Sequence, residues 1–340
     1  MPEAATQLLL FALGLLGLYY GAEWLVRGAG RLARRWGVSA LTVGLTVVAF
    51  GTSAPEFAVG VFAALGGEPE LALGNVVGSN VMNIALILGL TALLLPIEVG
   101  AGVIRREIPV MIGVTLATAL FALDGSIGTV DALLLLVLFA AYFWVVFRGP
   151  PRGRLAAEAD YDEIVTGADA EGRVPNVSAG VNLALVVVGI AAMVGGAHLL
   201  VDASIFFALR LGLSEMVIGL TVVAIGTSLP ELATALVAVW RKKSEIAVGN
   251  IVGSNVFNLC AILGITGLIA PIPVSRDVLS VEFVQMTAIS VVLLPLAWPK
   301  GGFRDIDQGP AYRLHRSEGL LLLGLYVLFA LTIFVRAGRI

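Results

Sequence analysis

Long apolar runs alternate along the chain with short polar or glycine/proline breaks. A run of about 20 apolar residues matches the hydrocarbon thickness of a bilayer when coiled as a helix. Ten such runs are predicted as helices, at 7–26, 38–65, 71–95, 104–123 and 129–148, then at 180–201, 213–239, 246–270, 281–298 and 318–336. Between the two sets lie Pro150, Pro151 and Gly153 with the acids Glu158, Asp160, Asp162, Glu163, Asp169 and Glu171, so 149–179 reads as a solvated linker. The expected fold is an all-α polytopic membrane protein, with one five-helix unit at 1–148 and another at 180–340. The first run has neither a basic flank nor a small-residue cleavage site, so it is read as a mature span and not a signal peptide.

Composition agrees with that pattern. Of the 340 residues 59% are apolar and only 13% charged, too few charges to cover a water-facing surface. The net charge of -3 and the scatter of basic residues through loops exclude a nucleic-acid binder. The single cysteine, Cys260, excludes an internal disulfide. Ten spans place 17 of the 21 Lys and Arg on one side, including Arg27, Arg31, Arg34, Arg35, Arg105, Arg106 and the group Arg241, Lys242, Lys243. Arg210, Arg276, Arg336 and Arg339 fall on the other. Basic loops stay in the cytoplasm, so both termini are expected outside it and the linker inside.

The chain repeats itself at an offset of 175 residues. GLTVVAFGTSAPE and ALGNVVGSNVMNIALILG, within 44–89, return as GLTVVAIGTSLPE and AVGNIVGSNVFNLCAILG within 219–264. Each half holds an odd number of spans, so the second copy enters the membrane from the opposite face and the repeat is inverted. The two copies occupy about 38–95 and 213–270.

The polar residues of the repeat lie deep in the spans. Glu56 stands ten residues before Gly66, and Glu231 ten before Arg241, which at 1.5 Å per residue is about half the hydrocarbon core. Two carboxylates at that depth need a partner, a cavity or an ion, and no basic residue lies at the same depth. The neutralising partner is therefore mobile: protons, or a cation from solution. Beside each glutamate a proline, Pro55 or Pro230, interrupts the helix, so the carbonyls of Gly51 and Gly226, and neighbours such as Ala49 and Ala224, are expected to be freed. Thr52, Ser53, Thr227 and Ser228 add hydroxyl oxygens. On the third and eighth spans Ser79 and Asn83, and Ser254 and Asn258, are spaced to share a helix face and reach the depth of the glutamates. The set is all oxygen, without histidine or thiolate, which suits hard cations and favours Ca²⁺.

G-T-S-x-P-E followed by G-N-x-x-G-S-N, twice, at inverted-repeat spacing, resembles the α-repeats of the cation/Ca²⁺ exchanger superfamily, the sodium/calcium exchangers and their prokaryotic relatives. The motifs span about 90 residues; the other spans agree with the family in number and placement. The resemblance implies a multi-pass protein of the cell membrane that exchanges Ca²⁺ against Na⁺ by alternating access, with no cofactor. It implies Glu56 and Glu231 as central carboxylates, Thr52, Ser53, Thr227 and Ser228 as flanking ligands, Ser79 and Ser254 as ligands on the facing helices, and backbone oxygens at Ala49 and Ala224. Asn83 and Asn258 stand where many relatives carry an aspartate in one copy, which leaves sodium stoichiometry, potassium coupling and proton coupling open. The first and sixth spans, with Gly21-Ala22 and Gly196-Ala197 at the repeat offset, are the expected moving elements, since small residues permit close contacts.

Other readings compete with these. A proton-coupled calcium exchanger would use the same glutamates as proton carriers. An intramembrane hydrolase at Ser53 or Ser228 would need a general base, and no histidine lies at that depth. A passive cation channel would conduct without a counter-ion. Asn75, Asn80, Asn250 and Asn255 fit helix contacts as well as liganding. Glu23, Asp202 and Glu282 lie near span ends, where interfacial solvation accounts for them, and His198 reads as packed or interfacial. Asp160, Asp162 and Glu171 match positions of a calcium-binding loop, but Val165 stands where its glycine is required.

Overall fold

The computed structural model describes residues 2–36, 40–100, 102–148, 177–210, 224–298 and 312–337. Residues 213–223 of the seventh expected span, most of the 149–179 linker and its calcium-loop look-alike lie outside the described residues. The helices are α1 (Pro2–Trp36), α2 (Leu41–Thr52), α3 (Ala54–Leu65), α4 (Pro69–Leu94), α5 (Val103–Asp124) and α6 (Thr129–Arg148). In the second half follow α7 (Ala179–Arg210), α8 (Leu229–Trp240), α9 (Ser244–Ile269), α10 (Val278–Leu296) and α11 (Arg316–Ala337). Among the described residues eight helices are long and apolar enough to cross a membrane, or nine if the bent pair α2 and α3 forms one span.

Burial orders these helices from centre to rim. Of the apolar windows, 89% of α9 and 78% of α4 are buried, against 17% of α11. The rim helices present Leu, Val and Phe outward, as Leu320, Val327 and Phe334 of α11 do, the surface a lipid-facing helix requires. The core is correspondingly central, with Ile84, Ile87 and Leu88 of α4 and Ile251, Val252 and Val256 of α9 fully buried.

Contacts between the halves come in matched pairs. A Cβ placed on Gly14 would lie 2.7 Å from the carbonyl oxygen of Gly196, and one on Gly189 would lie 2.7 Å from that of Gly21. A Cβ on Gly21 would meet Gly189, and one on Gly196 would meet Gly14, at 2.7 and 2.8 Å. Adding 175 to 14 and 21 gives 189 and 196, so exchanging the halves maps this seam onto itself. Gly14 lies against Gly196 and Gly28 against Asn182, so α1 and α7 run antiparallel, at a backbone approach that only glycine permits. Equivalent helices running in opposite directions are the geometry of an inverted repeat.

Two short strand pairs repeat the exchange. β1 (Ile97–Val99), after α4, pairs antiparallel with β4 (Tyr312–Leu314), before α11; β2 (Ser126–Ile127), before α6, pairs with β3 (Ile272–Pro273), after α9. Gly89 of α4 packs on Gly319 and Leu322 of α11, and its counterpart Gly264 of α9 packs on Ala132 and Leu136 of α6. Each half thus closes over the other.

Three local findings differ from the sequence reading. Pro55 and Pro230 do not sit in helix interiors: each lies in the first turn of a new helix, α3 or α8, where no intrahelical N–H is needed. The chain bends by 49° between α2 and α3. The carbonyl of Ala49 is not freed, because it accepts from the Ser53 N–H at 3.0 Å. Glu23 is buried instead of solvated: it pairs with Arg27 one turn on, and Arg241 Nε donates to Glu23 Oε2 at 3.0 Å while its Nη2 donates to Oε1. Asp202 and His198 are exposed, and Glu282 accepts from Arg336 Nη1 at 3.0 Å.

Candidate ion-binding site

The break after α2 brings Thr52 and Ser53 to the end of one helix and Glu56 into the first turn of the next. The equivalent break brings Thr227, Ser228 and Glu231 together before and within α8. Glu56, Glu231, Thr52, Ser53 and Ser228 are each no more than 2% exposed, while Thr227 is half-buried. The hydroxyls bond across the molecule: Ser53 Oγ donates to Glu231 Oε1 at 3.0 Å, and Ser228 Oγ donates to Glu56 Oε1 at 3.3 Å. Each carboxylate is held by the serine beside the other one. Among the described residues no Lys or Arg reaches either, and no group of three or more His, Cys, Asp or Glu gathers to hold a metal.

The facing wall comes from α4 and α9. Both helices widen to π-helical turns at this level, at Met82–Leu88 and Asn258–Ile262, a local geometry frequent at functional sites. Ser79, Asn83, Ser254 and Asn258 are buried there. Asn83 Nδ2 donates to Asn255 Oδ1 at 3.0 Å, and Asn258 Nδ2 donates to Asn80 Oδ1 at 3.1 Å. Thr52 Oγ1 donates to Asn250 Oδ1 at 2.9 Å, and Asn75 Nδ2 donates to the Glu56 carbonyl at 3.4 Å.

Five oxygens in this region are buried without a hydrogen-bond partner: Glu56 Oε2, Glu231 Oε2, Asn83 Oδ1, Asn258 Oδ1 and Ser254 Oγ. Buried polar atoms are ordinarily paired, because leaving one unpaired costs about 1 to 3 kcal/mol and more for a charged oxygen. Two carboxylates, two amides and a hydroxyl left open together have the donor chemistry of a hard-cation cage. The structure joins Ser53 to Glu231 and Ser228 to Glu56 across the two halves, while Ala49 offers an oxygen that already accepts from the Ser53 N–H.

Two features escaped the sequence reading. Asn80 and Asn255 accept from the amides of Asn258 and Asn83, a pairing that the motif alone does not separate from helix packing. Glu107, the fifth residue of α5, is 1% exposed and accepts from Arg106 Nε at 2.6 Å. Its counterpart at the repeat offset is Glu282, so the 175-residue comparison carried a signal for it beyond the α-repeats.

Comparison with known proteins agrees with this architecture. The profile of the family described as "Sodium/calcium exchanger protein" matches residues 6–148 and 181–335. A putative antiporter CaxA of Alkalimonas amylolytica is 37% identical over 92% of this chain and 94% of its own. The sodium/calcium exchanger MaX1 of Methanosarcina acetivorans is 32% identical over 96% of this chain and 98% of its own. A solved structure of the sodium-calcium exchanger NCX_Mj, soaked with zero Na⁺ and Ca²⁺, superposes with a TM-score of 0.78 at 31% identity and covers 96% of this chain and 98% of that one. With a profile that matches most of both halves, and relatives similar along nearly their whole length, the chain belongs to the sodium/calcium exchanger family.

Proposed function

We propose that this membrane protein is a secondary antiporter exchanging Ca²⁺ for Na⁺ by alternating access at one cage between its two halves. The observation that carries the reading is the set of unpartnered buried oxygens around two carboxylates that no fixed cation neutralises. Glu56 and Glu231 are the central ligands, Thr52, Ser53, Thr227, Ser228, Ser79 and Ser254 the hydroxyl ligands, and Asn83 and Asn258 the amide ligands. Ala49 and Ala224 would contribute backbone oxygens, the Ala49 carbonyl through the lone pair left over by its bond from the Ser53 N–H. Relatives named as sodium/calcium exchangers support Na⁺ as the counter-ion, as do the hydroxyl oxygens.

One Ca²⁺ balances both carboxylates, whereas an empty cage leaves two buried anions at a cost of several kcal/mol. Loaded forms then switch sides more readily than the empty one, which enforces exchange over leak. The glycine seam locks α1 to α7, so that pair would shift as one unit against the remaining helices. The chain is placed in the cell membrane with ten spans, five in each of 1–148 and 180–340, both termini outside the cytoplasm and the 149–179 linker within it. Labelling of single cysteines placed in the linker and near either terminus, in a Cys260→Ala background, tests that orientation.

Radioactive calcium uptake into proteoliposomes tests the function under an outward Na⁺ gradient, an outward proton gradient, or no gradient. Uptake driven by sodium alone is expected. Uptake driven by protons alone would keep the two glutamates but move the mechanism to carboxylate titration. Uptake without any counter-ion would replace the antiporter by a passive channel.

A further inference from the structure

Asn83 and Asn258 can bind a cation only if their amide oxygens, not their NH₂ groups, face the cage. An isolated asparagine has no such preference, since its two ends are nearly the same size. The polarity has to be imposed from outside.

The surroundings of Asn80 and Asn255 impose it. Asn80 Nδ2 lies 3.3 Å from the backbone carbonyl of Asn255, and Asn255 Nδ2 lies 3.5 Å from that of Asn80. A backbone carbonyl can only accept, so each amide must turn its NH₂ toward it. Asn255 Nδ2 also lies 3.5 Å from Met111 Sδ, another acceptor. The Oδ1 of each is thereby forced to the opposite side, where it accepts from the cage amide of the other helix: Asn80 from Asn258, and Asn255 from Asn83. Those two amides spend their NH₂ on these bonds, and their own Oδ1 atoms are the ones left buried and unpartnered. The chain of polarity runs from a backbone carbonyl, through one asparagine, to the ligand oxygen of the next.

We propose that Asn80 and Asn255 are positioning residues that fix the carbonyl ends of Asn258 and Asn83 toward the transported cation, each acting across the interface between the two halves. The proposal rests on the cage assigned above. It has a crosswise consequence: Asn80 serves Asn258 and not Asn83, and Asn255 serves Asn83 and not Asn258. A role in helix packing alone would not discriminate between them.

The test is a pair of double-mutant cycles on the full chain in proteoliposomes, reading the Ca²⁺ concentration that half-saturates exchange. Asn80→Leu and Asn258→Ala are each expected to raise it about tenfold, and the double variant no more than Asn258→Ala alone. Asn80→Leu combined with Asn83→Ala should multiply the two effects, toward about a hundredfold. The mirror cycle, Asn255→Leu with Asn83→Ala, gives a second reading, and Asn80→Ala replaces the leucine variant where that does not fold. Multiplicative effects for Asn80 with Asn258, or an unchanged half-saturation in the Asn80 variants, would overturn the proposal. Wild-type half-saturation in Asn258→Ala and Asn83→Ala would instead remove the cage itself.

Discussion

Gly195 and Gly196 are neighbours on α7, yet they face opposite environments, and this makes them a sensitive probe of the helix seam. Around a Cβ on Gly195 there is nothing within 4 Å, while one on Gly196 would lie 2.8 Å from Gly14 O, 2.9 Å from Leu18 N and 3.0 Å from Gly17 C. All three are backbone atoms of α1, and a Cβ has no torsion by which to move away. Overpacking of this kind costs about 1 to 3 kcal/mol, here toward the upper end because neither side can yield without moving a helix. Against it stands the gain of about 1 kcal/mol from replacing glycine by alanine within a helix. Gly196→Ala should therefore lose about 2 kcal/mol, and Gly195→Ala should gain up to about 1 kcal/mol. Thermal unfolding of the detergent-solubilised proteins would separate the two midpoints by on the order of 5 °C, in opposite directions from the parent. Equal shifts of the same sign would refute the close antiparallel contact of α1 and α7.

Three further outcomes are expected. Glu56→Gln and Glu231→Gln retain side-chain volume and an oxygen for the serine across the interface, so both should fold yet lose calcium exchange; near-parental rates in both would remove the carboxylates from the site. Asn258→Asp adds a third carboxylate to the cage and should change the preference between Ca²⁺ and Na⁺ in competition uptake while shifting the unfolding midpoint little; unaltered selectivity would argue that Asn258 holds no ion. Burial pushes the Lys243 ammonium, in the turn between α8 and α9, down to about 7 from 10.5, with Glu23 opposing and Arg241, Arg27 and Arg31 adding to the depression. Between about 7 and 10.5 the unfolded chain then holds more protons than the folded one, so this group makes stability rise with pH across that window and imposes its full penalty below about 7. Lys243→Met should flatten the dependence of the unfolding midpoint between pH 7 and 10, and a slope equal to the parent's would show that Lys243 keeps its charge on folding.

Much of the proposed site was legible from one dimension. The apolar runs marked the membrane helices because a bilayer imposes a length and a polarity on any segment that crosses it. The 175-residue offset exposed the repeat, and depth along a helix placed Glu56, Glu231, Asn83 and Asn258 at one level, since rise per residue is constant. What a linear reading could not supply is which helix faces which. Ser53 bonds to Glu231 and Ser228 to Glu56, 178 and 172 positions away, and no local pattern predicts that exchange. Glu23 looked like an interfacial residue until Arg241, 218 positions on, was found beside it. Asn80 and Asn255 fit helix contacts as well as liganding by spacing alone, and only the fold shows each accepting from an amide of the other half. Spacing and composition determine what a helix is and how deep its polar groups lie. Only tertiary contact decides which donor meets which acceptor, because hydrogen bonds act over about 3 Å of space and take no account of distance along the chain.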